Sequence, residues 1–370
     1  MSRITEPQSV FLDALRGLSA LAVLIGHAFS MLPWHPALGV KYPIQSYAVA
    51  VFFILSGFLI GRNTMSRSAT YSLSEYLIDR FARIFLAFVP ALIFVAVADH
   101  FVTAIYGQIA NATNTDATFA ANLLMLQHTP FDRYFDWLPR FQPYGTGRPF
   151  WTIAVEWWLY VLFGIAFFAS RTSVRERMVA LVLVAPAASV VLYFTAWESI
   201  AWVWISSAAL GILYAIMPAP THQRYLSIGF AALLALGALI YRFKRLDLAP
   251  TMNFYDLQLI MLTSLLFGLA LLLVNWPPIA STLVSSKRLW TWLAAISYSL
   301  YLTHNTVMTI VIRVVGGPGW PAVVLTCLAS VAVAILFTWG LDRHHKAVGT
   351  WLKDRLALKH VGRRPSASSA

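Results

Sequence analysis

Arg16 and His27 are polar residues within the first apolar segment of the sequence. Eleven residues of α-helix make about three turns plus roughly 20°, so both side chains lie on one face, about 16 Å apart along the axis. Such side chains are costly inside a membrane helix and rarely persist there without a partner or a function. The spacing therefore places two candidate functional residues at two levels of one helix face. In the alternative, Arg16 extends to the membrane surface and His27 is a hydrogen-bonded core residue.

Glu156 lies in another apolar segment, Phe150–Tyr160. We expect this helix to run opposite to the first, which places Glu156 at a depth of roughly 9 Å, close to that of His27. The sequence therefore predicts a dyad in which Glu156 fixes the tautomer of the imidazole and His27 takes a proton. The alternative is a purely structural hydrogen bond between Glu156 and a neighbouring helix.

A further polar group lies late in the chain. Tyr298, Tyr301 and His304 are three residues apart and share one helix face. His304 is expected about 18 Å along a helix that rises from the cytoplasm, near the middle of the membrane. A polar site at that depth indicates function, and the alternative is buried packing in which these side chains bond across helices.

Arg80 and Arg83 are also three residues apart, and we expect them to open the third apolar helix, with Arg62 closing the second. Two guanidinium groups at this spacing present forked donors toward one ligand, which suits phosphate oxygens. The simpler alternative is that arginines at a cytoplasmic boundary satisfy membrane topology. No metal site is predicted, because His344 and His345 lack a carboxylate or cysteine partner at ligand spacing.

The elements that position these residues must be membrane helices. Of the 370 residues, 59% are hydrophobic and 11% are charged, whereas soluble domains have roughly 45–50% and about 25%. This composition excludes a water-soluble fold and makes lipid the solvent for much of the surface. The net charge of +12 does not indicate a nucleic-acid partner, because the 27 Lys and Arg lie between apolar segments.

Ten segments reach the roughly 20 residues that a spanning helix needs. They are residues 10–32, 44–61, 82–104, 150–169, 177–196, 199–217, 225–241, 255–274, 292–312 and 319–341. The sequence therefore predicts an all-α, polytopic membrane protein with about ten transmembrane helices in one bundle. We assign residues 1–345 to this transmembrane domain and residues 346–370 to a cytoplasmic tail that is disordered at its end.

The distribution of Lys and Arg predicts the orientation of the bundle. Eighteen of them lie on the side of the N-terminus, eight lie on the other side, and Arg16 lies within the first helix. Cytoplasmic loops carry the excess. We therefore expect a multi-pass protein of the inner (cytoplasmic) membrane with both termini in the cytoplasm. The long loop 106–149 is then extracytoplasmic, and its aromatic residues suit either stacking on sugar rings or lying at the membrane interface.

Five sequence blocks follow one another between residues 10 and 345. They are residues 11–27, with a basic residue and a histidine eleven positions apart, and then Phe52–Leu59, Arg80–Arg83, Trp151–Glu156 and Ser297–His304. In this order the blocks resemble the acyltransferase-3 family of membrane O-acyltransferases, which modify bacterial surface polysaccharides. Asp342 departs from the family pattern, in which a glutamate followed by a proline is frequent.

For the donor, the resemblance implies acetyl-CoA or another acyl-CoA that binds from the cytoplasm, with no tightly bound cofactor. Arg16, Arg80 and Arg83 would bind the CoA phosphates. His27 would activate the acceptor hydroxyl or carry the acyl group itself, and Glu156 would orient His27.

For the acceptor, the resemblance implies a hydroxyl of a glycan or of a lipid-linked sugar. Tyr301, His304 and Trp151 would bind it, and Tyr301 or His304 would line the acceptor path or stabilise the oxyanion.

Two other functional classes stay open at this point. A secondary transporter or flippase for an acyl or glycolipid substrate also places Arg, Glu and His at mid-membrane, but such proteins usually have related halves, which this sequence does not show. A membrane scaffold needs none of these buried charges.

Overall fold

The computed structural model describes residues 4–29, 44–107, 113–133, 139–196, 200–216 and 273–356, with a few single positions between these ranges. Regular structure in the described residues is entirely helical. In chain order the helices are α1 (Glu6–Phe29), α2 (Ile44–Ser66), α3 (Leu73–Tyr106), α4 (Asp116–Leu123), α5 (Phe150–Phe168), α6 (Val174–Ala196), α7 (Ile200–Ile216), α8 (Pro277–Ser285), α9 (Lys287–Val315), α10 (Trp320–Gly340) and α11 (His345–Arg355). Single 3-10 turns lie at Pro130–Arg133, Ala169–Arg171 and Asp342–His344.

Six of the described helices are long and apolar enough to cross a membrane, namely α1, α2, α3, α5, α6 and α10. Helix α7 is apolar but has only 17 residues, and α9 has 29 residues but carries the polar group around His304 on its buried face. The predicted all-α class is therefore confirmed, whereas the predicted count of about ten spanning helices is not. The predicted segment 225–241 and most of 255–274 lie outside the described residues.

Helix α3 begins earlier than predicted, because a capping box sets its start. Ser72 Oγ accepts from the Glu75 N–H at 3.2 Å, and Glu75 Oε2 accepts from the Ser72 N–H at 3.0 Å. The prediction that Arg80 and Arg83 open the helix is therefore wrong, since they lie two to three turns inside it. With 34 residues, α3 is about 51 Å long, which exceeds the ~30 Å hydrocarbon layer.

Glycines bring α2 and α7 into direct backbone contact. A Cβ atom at Gly57 would collide with the carbonyl oxygen of Trp204, and one at Gly61 would collide with that of Ala208. Small residues permit such close approach between membrane helices, which are held together by van der Waals packing. Helix α2 ends at Ser66, one turn after Arg62, so the prediction that Arg62 closes this helix is wrong by four residues.

We expect Gly61→Ala to lower the free energy of unfolding by about 1–3 kcal/mol, the usual cost of overpacking, because the added methyl group meets a backbone carbonyl. Thermal unfolding of the purified protein in detergent measures the change. Gly340→Ala is the matched control, since a Cβ at Gly340 meets nothing within 4 Å. Equal stability losses in the two variants would contradict the close packing of α2 and α7.

The segment between α3 and α5 is fixed by hydrogen bonds from one buried side chain. Asn122 Nδ2 donates to the carbonyl oxygens of Thr118 at 2.8 Å and Gln142 at 3.0 Å, and its Oδ1 accepts from the Tyr144 N–H at 3.1 Å. These bonds join α4 to the chain that leads into α5, so the start of α5 is held by the loop before it.

The region predicted as a tail begins with an ordered helix. Residues 346–355 form most of α11, which packs on α3 through an ion pair between Lys353 Nζ and Asp79 Oδ1 at 2.6 Å. Residues 357–370 lie outside the described part of the chain. The end of the bundle where α3 begins is therefore covered by α11.

Candidate active site

A cavity of about 500 Å³ lies at the end of the bundle where α2 and α10 end and α3 begins. Helices α1, α2, α3, α5, α9 and α11 supply its walls. The lining of this cavity includes several residues singled out in the sequence, namely Arg16, Arg80, Arg83, Glu156 and Tyr301. We call this space the basic cavity, because cationic side chains surround its mouth.

The two arginines of α3 that line the basic cavity differ in whether a carboxylate pairs with their charge. Arg83 donates to Asp342 Oδ1 at 2.6 Å, so a carboxylate offsets its charge. The Arg80 guanidinium lies 5.8 Å and 5.9 Å from the ring centroids of Tyr76 and Tyr160, and its Nε is buried without a hydrogen-bond partner. None of the described carboxylates lies within ion-pair distance of Arg80. Arg80 therefore presents to a ligand a guanidinium that forms no ion pair with the described carboxylates.

Arg16 adds a third guanidinium to the lining of the basic cavity. The charge of Arg83 acts on it unfavourably, and the charges of Asp13 and Glu156 act on it favourably. Like charges held in one cavity repel each other, and an anion bound between them would relieve that repulsion.

Glu156 is the end point of a chain of hydrogen bonds. Tyr160 Oη donates to Glu156 Oε1 at 2.5 Å. Since this uses the only hydroxyl hydrogen of Tyr160, Ser56 Oγ donates to Tyr160 Oη at 2.8 Å, and Trp204 Nε1 donates to Ser56 Oγ at 3.0 Å. Three helices thus hold the carboxylate in place. None of the three donors is predicted by the sequence pattern alone, although the i, i+4 spacing is a signal for Tyr160.

Tyr301 closes the inner end of the basic cavity. Thr152 Oγ1 donates to the Pro149 carbonyl at 2.8 Å, so Tyr301 Oη donates to Thr152 Oγ1, also at 2.8 Å. The Tyr301 ring lies 5.6 Å from the Phe52 ring and 6.0 Å from the His304 ring, measured between centroids. In this arrangement the hydroxyl hydrogen of Tyr301 points to Thr152 and its oxygen is left as an acceptor.

His27 and His304 lie together beyond Tyr301, outside the lining of the basic cavity. Their rings stack at 5.3 Å between centroids with an interplanar angle of 27°. His304 Nδ1 lies 2.9 Å from the Tyr301 carbonyl oxygen and 3.2 Å from that of Leu300, so Nδ1 carries the proton and Nε2 is an acceptor. That Nε2 atom is buried without a hydrogen-bond partner. The predicted dyad of His27 with Glu156 stays a prediction.

A buried carboxylate anchors the loop next to this histidine pair. Asp99, which is 1% exposed, accepts from the Thr146 N–H at 2.8 Å and from Thr146 Oγ1 at 2.6 Å. Asn305 Nδ2, adjacent in sequence to His304, donates to the Thr146 carbonyl at 2.6 Å. Asp99 is not among the residues singled out in the sequence, although a carboxylate within an apolar segment is a signal for a buried polar contact.

Trp151, expected to bind the acceptor, lies away from the basic cavity. Its ring is tilted against the ring of His128 at 5.4 Å between centroids, and His128 belongs to the loop between α3 and α5. Trp151 therefore contacts the loop that precedes α5 and is not among the residues that line the basic cavity. Across the described ranges, no group of three or more His, Cys, Asp or Glu side chains is suited to holding a metal ion.

Comparison with protein families gives one match that covers most of the chain. The model of an acyltransferase domain, of the acyltransferase-3 type, matches residues 9–339. The chain belongs to the acyltransferase-3 family. The resemblance carried by the five sequence blocks is thereby confirmed, and the protein is a membrane acyltransferase. Comparison with curated proteins gives no match, and comparison with solved structures gives none either.

The acyltransferase-3 region does not account for the whole wall of the basic cavity. It includes Arg16, Arg80 and Glu156, but it ends at residue 339. Asp342, which pairs with Arg83, and helix α11, which lines the cavity mouth, follow after it. This acyltransferase-3 protein therefore completes its basic cavity with residues beyond the family match.

Proposed function

We propose that this protein transfers an acetyl or another short acyl group from acyl-CoA to a hydroxyl of a surface glycan or a lipid-linked sugar. One observation carries the proposal: the basic cavity leads from cations at its mouth to Tyr301, whose ring is 6.0 Å from His304, and His304 stacks on His27. An anionic donor that enters at the mouth would direct its acyl end toward two imidazoles.

The phosphates of CoA suit the mouth of the basic cavity. Guanidinium groups bind phosphate oxygens through paired, charge-assisted hydrogen bonds. Arg80 has no ion-pair partner among the described carboxylates and is available to a diphosphate, whereas Arg83 already contacts Asp342. Arg16 and His27 are about 16 Å apart along α1, a distance on the order of the extended pantetheine arm that joins the phosphates to the thioester.

His27 would supply the proton transfer. The acceptor oxygen attacks the thioester carbonyl carbon, a C–O bond forms, and the C–S bond breaks. His27 removes the hydroxyl proton and returns it to the departing CoA sulfur. In the two-step form, the acyl group first forms a C–N bond with His27 while the C–S bond breaks and CoA leaves as a thiolate. The acceptor oxygen then displaces the imidazole, and the hydroxyl proton passes to the CoA thiolate.

Tyr301 lines the basic cavity and its ring adjoins that of His304, so the acyl end must pass it to reach the histidine pair. The ring of Phe52, also in the lining, is 5.6 Å from that of Tyr301. A rotamer change of Tyr301, which breaks its bond to Thr152, would extend the basic cavity toward His304. We propose that the mouth faces the cytoplasm in the inner membrane, with both termini on that side, which the Lys and Arg excess there supports.

Binding of CoA tests the donor half of the proposal. We expect micromolar binding to the purified protein in detergent, measured by calorimetry, and a loss of about tenfold or more in Arg80→Ala, since a hydrogen bond to a charged group contributes about 1.5–3 kcal/mol. We choose Arg80 rather than Arg83 for this substitution because the loss of the Arg80 side chain leaves no carboxylate without its ion-pair partner. Arg175→Ala is the matched control, an exposed arginine of α6 outside the cavity lining.

Acyl transfer from acetyl-CoA to sugar acceptors, measured by mass spectrometry, tests the acceptor half of the proposal. Failure of folded wild-type protein to bind CoA would contradict the donor assignment. Binding of CoA without transfer to any sugar, together with movement of an acyl or glycolipid substrate across vesicles, would favour a transporter.

A further inference from the structure

Helix α11 lies outside the family match, yet it forms part of the wall of the basic cavity. Lys346, Thr350 and Lys353 all line the cavity. Their spacing of four and three residues places them on one helix face. The side of α11 that faces the cavity is therefore polar and cationic, which is the character of a ligand-binding surface rather than of a packing surface.

The position of α11 against α3 is fixed by specific contacts. Lys353 Nζ lies 2.6 Å from Asp79 Oδ1, and Tyr71 Oη donates to Asp79 Oδ2 at 2.6 Å. Burial and the neighbouring Asp79 charge raise the pKa of Tyr71, so its hydroxyl stays protonated as a donor. A Cβ at Gly349 would lie 3.4 Å from Asp79 Oδ1, in van der Waals contact, so the backbone of α11 packs directly on α3. Helix α11 is thus a docked element that holds its side chains in defined places.

The two lysines of this wall differ in whether their ammonium group is available to a ligand. Lys353 is committed to Asp79, and its side chain is only 14% exposed. Lys346 is exposed, lines the same cavity, and has no ion-pair partner among the described carboxylates. Lys346 is more exposed than Arg80 and therefore offers a free ammonium group at the rim of the cavity.

Coenzyme A carries phosphate in two separate places. Its diphosphate adjoins the pantetheine arm, and its 3′-phosphate is on the ribose at the opposite end. When the arm points inward to Tyr301, the diphosphate lies at the level of the arginines of α3 and the ribose lies at the mouth. A lysine at the mouth suits a phosphate group there, since the ammonium is a compact charge that binds phosphate well.

On this basis we propose that Lys346 binds the ribose 3′-phosphate of the acyl-CoA donor, so that α11 selects a donor bearing this phosphate. The proposal rests on the proposed function, in which the donor is acyl-CoA. It assigns a specificity role to a helix outside the family region.

Calorimetry of the full-length protein in detergent with CoA and with 3′-dephospho-CoA tests the assignment. We expect wild-type protein to bind CoA about five- to tenfold more tightly than 3′-dephospho-CoA, the range of one partly exposed charge-assisted contact. Lys346→Ala should weaken CoA binding by the same factor and leave 3′-dephospho-CoA binding unchanged. Lys346→Arg should retain the preference for CoA.

Arg355→Ala is the matched control, an exposed cation of the same helix whose guanidinium lies over the Trp351 ring at 5.6 Å. It should leave both affinities unchanged. Equal affinity of wild-type protein for the two nucleotides, or an equal loss for both in Lys346→Ala, would overturn the role of Lys346 and leave the acyl-CoA donor in place. Absence of binding to either nucleotide in folded wild-type protein would overturn the proposed function and this inference together.

Discussion

His27→Ala is expected to lower the rate of acyl transfer about a thousandfold while CoA binding changes less than about twofold. General base catalysis by a positioned histidine contributes about 10²–10⁴-fold, and a histidine that carries the acyl group has no substitute in alanine. CoA affinity should persist, because His27 is not among the residues that line the basic cavity. Transfer from acetyl-CoA to a sugar acceptor measures the first property and calorimetry measures the second.

His100→Ala is the matched control for this prediction. His100 is an exposed histidine of α3 whose ring contacts Phe101, so its loss should change neither property. A His27→Ala protein that keeps a tenth or more of the wild-type rate would remove His27 from the chemistry. An equal loss of rate and of CoA affinity would instead indicate that the stack with His304 supports the fold of the cavity.

The helices themselves could largely be predicted from the sequence. A run of about 20 apolar residues has few alternatives to a membrane helix, because every backbone polar group must be bonded within the lipid. Helix ends were less predictable, since they depend on single side chains. The capping box of Ser72 and Glu75 starts α3 before its apolar run begins, so counting apolar residues placed that start too late.

Contacts within one helix could be predicted from the sequence, whereas contacts between helices could not. The helical repeat places Arg80 and Arg83 on neighbouring positions, and both do line one cavity. The stacking of His27 on His304 and the pairing of Arg83 with Asp342 depend on how the helices are rotated against each other. Neither residue spacing nor hydropathy encodes that rotation. It is determined by packing between helices, for example of Gly17 against Leu293.

Tyr160→Phe is expected to lower turnover by about 10- to 100-fold with little change in CoA affinity. The substitution removes the hydroxyl that donates to Glu156, and a hydrogen bond to a charged group contributes about 1.5–3 kcal/mol, which corresponds to this range. The phenylalanine ring keeps the contacts with Trp204 and Arg80, so the fold and the phosphate site should persist. Steady-state kinetics separates kcat from KM, and calorimetry gives the CoA affinity.

Tyr76→Phe is the matched control, because Tyr76 is also buried and also lies beside Arg80, but its hydroxyl donates to the backbone carbonyl of Tyr160 at 3.1 Å. It should cost some stability and leave kcat within about threefold.

In the proposed mechanism the chain of donors acts on the reaction only through the carboxylate on which it ends, so the decisive comparison is a double-mutant cycle. In Glu156→Gln, which we expect to reduce turnover at least as much as Tyr160→Phe, the further change of Tyr160 should have little effect, because the charge that it orients is gone. Ser56→Ala should show a smaller loss than Tyr160→Phe, since it removes a donor one step further from the carboxylate. Additive effects of Glu156→Gln and Tyr160→Phe would instead assign Tyr160 a role of its own in the cavity, independent of Glu156.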